Sequence, residues 1–251
     1  MARDECSQGG RTGYVRSLIL PVTRSRAVYL GGMASGNEVA LAKPLLRGVL
    51  HQGAFPVSLV LGTLLIAFSE GASRRTAASV FAGSVAACLG VSALYHRGTW
   101  APPVRLVMRR LDHAGVYFLI AGTYTPVCLL ALEGAWRFAV LAIVSSAAGA
   151  AIVLMLAWDE APNWLAATLG IVIGWSGVAL LPQLVTRLEP AAIVLLALGG
   201  TAYTAGAIVY ARRRPNPAPT VFGYHELFHA LTILGLACQY VAIAVFVIGA
   251  G

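Results

Sequence analysis

The amino-acid sequence predicts an all-α membrane protein, a seven-transmembrane helix bundle with its N-terminus cytoplasmic and its C-terminus outside. Three observations predict it. Of 251 residues, 58% are hydrophobic and only 11% charged, whereas a water-soluble domain usually carries about a quarter charged residues. Apolar stretches long enough to cross a bilayer, about 20 residues each, recur seven times with short polar breaks. The 18 Lys and Arg residues gather in alternate breaks, the asymmetry that reports membrane topology.

Residues 1–43 hold no spanning run and read as a cytoplasmic, mobile tail. Asp4 and Glu5 near its start, and Pro21 inside the short apolar run from Leu18 to Val22, argue against a cleaved signal peptide. Residues 44–251 form the transmembrane domain. Its first span, about 49–69, follows Lys43 and Arg47. The second, about 77–97, is preceded by Arg74 and Arg75 and ends on Arg97. Pro102, Pro103, Arg105, Arg109 and Arg110 separate it from the third, about 111–132. The fourth, about 137–157, opens on Arg137, and Pro162 divides it from the fifth, about 163–182, which ends on Pro182. The sixth, about 189–211, follows Arg187 and carries Pro190 near its start. Arg212, Arg213 and Arg214, with Pro215, Pro217 and Pro219, part it from the seventh, about 224–248. Helices are expected throughout because an open segment in hydrocarbon must satisfy its own backbone hydrogen bonds.

The basic residues orient this array. Seven precede the first span, four lie in the second loop and three in the sixth. The first, third and fifth loops share the remaining four, Arg74, Arg75, Arg137 and Arg187. Cytoplasmic loops hold the excess, so the N-terminal side is read as inside. The same distribution explains the net charge of +8 without a nucleic-acid partner, since the cations form no single stripe or face. Cys6, Cys88, Cys128 and Cys238 show no C-x-x-C spacing, and three of them lie in apolar runs, where cysteine behaves as a small hydrophobe. No disulfide framework is expected. Gly170 and Gly174 form a G-x-x-x-G, read as a site of close helix packing.

All five histidines fall near helix ends on the predicted cytoplasmic side. His51 opens the first span, His96 closes the second, His113 opens the third beside Asp112, and His225 and His229 open the seventh. A four-residue spacing puts His225 and His229 on one helix face, one turn apart, the geometry for two imidazoles on one metal ion. A third nitrogen from His96 would complete a three-histidine site with an open fourth position, as catalytic zinc sites have. Asp112 could accept a hydrogen bond from a water there or from an imidazole. Ionisable groups at membrane depth are costly and mark functional sites. Ser92, four residues before His96, shares its face, where its hydroxyl either orients a bound group or satisfies a backbone carbonyl. His51 and His113 are read as interfacial or hydrogen-bonded histidines rather than ligands, and Glu226 as serving the helix's first turn. Tyr95, Tyr117, Tyr124, Trp100 and Trp164, near helix ends, are read as interface anchors.

Three separated motifs carry a resemblance: Ser92-Ala-Leu-Tyr-His96, Leu111-Asp112-His113 leading to Ala121-Gly-Thr-Tyr-Thr-Pro126, and Phe222-Gly-Tyr-His225-Glu-Leu-Phe-His229. With Lys43-Pro-Leu-Leu-Arg-Gly48 before His51, they resemble the bacterial hemolysin III family, which belongs with the adiponectin and progestin receptors, over about residues 43–248. The resemblance implies seven helices with the N-terminus inside and a zinc ion held by His96, His225 and His229. It also implies Asp112 as the group that holds the water at the metal and Ser92 as the serine lining the site. Gln239 stands where many bacterial members have histidine.

Receptors of that superfamily are linked to ceramide hydrolysis, so the first expectation is a zinc-dependent intramembrane hydrolase of a lipid amide or ester, drawn from the inner leaflet. Asp112 would take a proton from water and Ser92 would steady the developing oxyanion. A haemolysin-like protein that permeabilises membranes is the second expectation, although the spans are apolar through their middles. The third is a sensor or scaffold whose zinc ties helices two, three and seven together.

Overall fold

A computed structural model describes residues 43–158 and 161–249. The expectation of a mobile tail over 1–43 lies outside the described residues, apart from Lys43. Seven helices are long and apolar enough to cross a membrane: α1 Val49–Ala67, α2 Gly71–Arg97, α3 Pro102–Ala131, α4 Trp136–Ala157, α5 Asn163–Arg187, α6 Pro190–Arg212 and α7 Tyr224–Ile248. The described residues form no strand beyond one isolated bridge, Ala218 with Phe222, in the turn before α7.

Three helices run past their apolar cores. α2 starts at Gly71 rather than near 77, α3 at Pro102 rather than near 111, and α5 continues to Arg187. Hydropathy locates the hydrocarbon, but a helix propagates into water as long as its residues favour it. Pro102 and Pro103 occupy the first positions of α3, where a missing N–H costs nothing, and the basic turns after them continue the helix. Asp112 and His113 consequently sit about three turns inside α3 instead of at its opening.

Proline also shapes the helix interiors. Pro126 is followed by a π-helical stretch, Val127–Ala131, because proline removes a hydrogen bond and crowds the carbonyl four residues back. In α5 an α-helical segment, Asn163–Trp175, passes through a 3-10 stretch, Ser176–Leu180, to a second segment, Leu181–Arg187, with Pro182 in its first turn. The carbonyls left over at that break find hydroxyls. Tyr124 donates to Gly174 O at 2.8 Å, and Ser176 to Ile173 O at 2.7 Å. Unpaired carbonyls at membrane depth would be expensive.

Sequence neighbours pack against each other, α1 on α2, α2 on α3, α3 on α4, α5 on α6 and α6 on α7, and α7 returns to α1. α2, α3 and α7 are the most buried, while α1, α5 and α6 turn most of their apolar side chains outward. That outward surface, with Val57, Val60, Val172, Val194 and Leu198 more than half exposed, suits lipid. α6 and α7 approach closest at Gly199 and Gly235, where a Cβ on either glycine would stand 3.0 Å from the other's carbonyl oxygen. Gly170 and Gly174 do not do this. A Cβ on either meets nothing within 4 Å, and both line an internal cavity, so the packing expectation for that G-x-x-x-G is corrected. Tyr117 and Tyr124 are also not interface anchors. They are 1% and 9% exposed, and their hydroxyls bridge α3 to α5, Tyr117 donating to Ala166 O at 2.9 Å. Cys88, Cys128 and Cys238 are free thiols.

Candidate metal centre

The most buried helices carry the predicted site residues. His96 comes from the last turn of α2, and His225 and His229 from the first two turns of α7; all three are buried. One ligand atom from each lies within 4.8 Å of the other two. His225 Nε2 stands 3.0 Å from His96 Nε2, and the His96 and His229 ring centroids are 5.1 Å apart. Two nitrogens on one tetrahedral zinc stand about 3.3 Å apart, given Zn–N bonds of about 2.05 Å. Three imidazoles from two helices therefore converge within 4.8 Å of one another, one pair at about the spacing such an ion requires, in a place shielded from water.

Asp112 approaches from α3. Its Oδ2 lies 3.6 Å from His96 Nε2 and its side chain is 12% exposed. Ser92, one turn below His96 on α2, is 3% exposed. It faces Asp112 without a hydrogen bond of normal geometry and does not bond the backbone of its own helix. Ser84 and Ser69 of the same bundle do make that bond, to Phe81 O and Leu65 O, so Ser92 is left for whatever occupies the site.

The bland reading of His113 fits the structure. Its Nδ1 pairs with Arg109 O at 2.7 Å and its Nε2 with Tyr210 Oη at 2.8 Å. A tyrosine hydroxyl donating to Nε2 leaves Nδ1 as the N–H that donates to the carbonyl. The bland reading of His51 does not fit. His51 is 3% exposed and its ring stacks on His229, with centroids 3.8 Å apart and planes 6° from parallel. Spacing gave no signal for this contact, since α1 is remote from α7 in sequence.

The entry segment to α1 seals this end. Leu45 N and Leu46 N donate to Thr220 O and Val221 O at 3.0 and 3.1 Å, and Lys43 Nζ donates to His96 O. Arg47 pairs with Glu226, which is 1% exposed. Glu226 also accepts from Gly223 N at 2.8 Å, so it caps the first turn of α7. Gly48 passes over His96 at φ +79, with no room for a side chain: a Cβ there would lie 2.5 Å from His96 Cβ. Lys43 sits close to Arg47, Arg97 and Arg105, and burial together with these cations lowers its pKa from the ordinary lysine value.

Behind the triad lies a cavity of about 310 Å³. His51, Ser92, Asp112, His225 and His229 line its near end and Leu184, Ile193 and Gln239 its far end. From His225 to Gln239 along α7 is about 21 Å. Most of the wall between is apolar. Trp175, Val178 and Leu181 of α5 line the cavity and are also 41%, 48% and 37% exposed, so the cavity reaches the outer surface on the α5 and α6 side. There Trp175 Nε1 donates to Thr204 Oγ1 at 2.8 Å. Gln239 is spent far from the triad, its Nε2 donating to Leu196 O at 3.3 Å.

Known proteins resemble this chain in sequence. A protein named Hemolysin-3, from Bacillus cereus, is 28% identical over 76% of this chain and 86% of its own length. Hemolysin-3 homolog of Bacillus subtilis is 31% identical over 53% of this chain, a match that spans 60% of that relative. Heptahelical transmembrane protein ADIPOR2 of rice is 32% identical over 66% of this chain and 80% of its own length. Residues 39–240, which include every site residue described above, match the family model for haemolysin-III-related proteins, so the chain belongs to the haemolysin-III-related family.

Proposed function

We propose that this chain is a zinc-dependent intramembrane hydrolase of a lipid amide or ester, with its metal centre at the cytoplasmic face. One observation carries the reading: three buried imidazoles, a carboxylate and an uncommitted hydroxyl meet at the closed end of an apolar cavity that reaches the lipid-facing surface. The donor set fits zinc, since neutral imidazoles at this spacing suit a borderline-soft ion. Zinc held by His96, His225 and His229 would supply Lewis acidity, to polarise a carbonyl and make water acidic enough to react near neutral pH.

The chain's own residues do the rest. His96, His225 and His229 fix the reacting centre against α2 and α7. The cavity holds an acyl chain in apolar surroundings with the carbonyl at its head, and the entry segment keeps bulk water from that end. Asp112 accepts a proton from water as its oxygen bonds to the carbonyl carbon, and returns that proton to the amine or alcohol as the C–N or C–O bond breaks; the Ser92 hydroxyl donates to the carbonyl oxygen as charge develops on it. The cytoplasmic placement rests on the excess of Lys and Arg on the triad's side of the bundle.

The relatives' name suggests haemolysis, but a water-filled pore wants a continuous polar wall, and this cavity is mostly apolar between its two ends. The direct test compares purified wild type with His225→Ala for zinc content and for turnover of a fluorescent lipid amide and a lipid ester. Zinc near one ion per chain and turnover, both lost in the variant, are expected. Equal turnover by the two proteins removes the proposal.

A further inference from the structure

One buried histidine of the site has no task in that chemistry. In α1 only His51, Gly62 and Leu65 are buried, so a helix that otherwise faces outward delivers one imidazole to the centre. His51 lines the cavity, yet neither of its ring nitrogens has a hydrogen-bond partner. A neutral imidazole carries one N–H donor and one lone-pair acceptor, and native folds rarely leave such groups buried and unpaired. His113, on the same side of the bundle, has both nitrogens occupied. His51 differs from His113 in this.

Geometry argues against a fourth metal ligand. A metal ion lies in the plane of the imidazole that binds it, along the nitrogen lone pair. The His51 and His229 planes are parallel to within 6° and their centroids are 3.8 Å apart. An ion in the plane of His229 stands off the plane of His51, whereas ligation needs in-plane approach at about 2.0–2.1 Å. The nitrogens of His51 thus border the reacting centre without joining it.

We infer that His51 is a specificity-determining residue that hydrogen-bonds a hydroxyl or amide group next to the scissile carbonyl of the bound lipid. The inference rests on the hydrolase reading for its substrate and adds the class: acyl lipids with a second polar group beside the carbonyl, in preference to plain acyl chains. Tyr203 supports a ligand with more than one polar group. Its hydroxyl is also buried without a partner and its residue lines the same cavity. It packs on Gly235, six residues beyond His229 and so about 9 Å deeper along α7.

The test uses two probes of equal length, N-(2-hydroxyethyl)oleamide and N-propyloleamide, in which a methyl group replaces the hydroxyl. Their dissociation constants are measured on the purified full chain, for wild type, His51→Phe and His51→Gln, with zinc content determined for each. Wild type is expected to prefer the hydroxylated probe about tenfold, the worth of one hydrogen bond. His51→Phe keeps an aromatic ring on His229 and loses both nitrogens. It should bind the two probes equally, with zinc content and N-propyloleamide affinity unchanged. His51→Gln keeps a donor and an acceptor and should retain part of the preference. Undiminished preference in His51→Phe, no preference in wild type, or loss of zinc from His51→Phe each overturns the assignment. Binding is read apart from cleavage: a His51-dependent preference without hydrolysis of either probe sinks the hydrolase reading alone, and cleavage without preference sinks this one alone.

Discussion

Replacing Gly48 with alanine should damage the metal centre from outside it. The residue sits at φ +79, a left-handed conformation that costs a side-chain-bearing residue about 1–2 kcal/mol. The new Cβ would also stand 2.5 Å from His96 Cβ, about 1 Å inside ordinary contact, and overpacking of that kind costs about 1–3 kcal/mol. Gly71 is the matched control, since it has φ +75 and nothing within 4 Å of a Cβ. Gly71→Ala should show the conformational cost alone. The excess for Gly48→Ala, about 1–3 kcal/mol, corresponds to a melting temperature about 3–10 °C below that of Gly71→Ala for a chain of this size. If the chain yields instead, His96 moves by a large fraction of an ångström, beyond the tolerance of about 0.2 Å of a metal bond, and zinc content falls. Thermal unfolding in detergent and elemental analysis of the two variants measure both effects. Equal melting temperatures and equal zinc content would show that the entry segment does not bear on His96 as described.

Two further outcomes are expected. Arg47→Met leaves the buried Glu226 carboxylate without its partner and should lower stability by about 3 kcal/mol, while the double change Arg47→Met with Glu226→Leu should recover most of that loss; a double-mutant cycle by thermal unfolding reads it, and additive losses would count against the pair. Gly170→Ala should stabilise α5 by about 0.5–1 kcal/mol, because a Cβ there enters open space on a helix. Gly170→Phe should instead fill the cavity and abolish lipid binding while zinc content stays at the wild-type level, as probe binding and elemental analysis would report.

The count of spans and the side that gathers the histidines were readable from the chain because both are one-dimensional. Membrane crossing needs only about 20 apolar residues in a row, and each span predicted from hydropathy corresponds to a helix. The pairing of His225 with His229 was likewise local, a consequence of 3.6 residues per turn. His96 joined them through membrane depth, since side chains at one level of a small bundle have few places to go. Helix ends were less legible. α2, α3 and α5 continue beyond their apolar runs, which hydropathy does not register.

Rotation about each helix axis was the quantity the chain did not carry. In water, an apolar stripe tells which face turns inward. In lipid both faces are apolar, so nothing in α1 marked His51 as the residue that would stack on His229, nothing in α3 marked Tyr117 and Tyr124 as inward, and Gly170 with Gly174 read as a packing motif although they border a cavity. Glu226 could not be assigned to Arg47 either, because their meeting depends on how the segment before α1 crosses the end of α7. The sequence by itself determined how many helices cross the membrane, which end gathers the histidines and which three of them could share an ion. Only the tertiary structure decided which faces meet, because an all-apolar solvent leaves that choice to packing and to the pairing of a few buried polar groups.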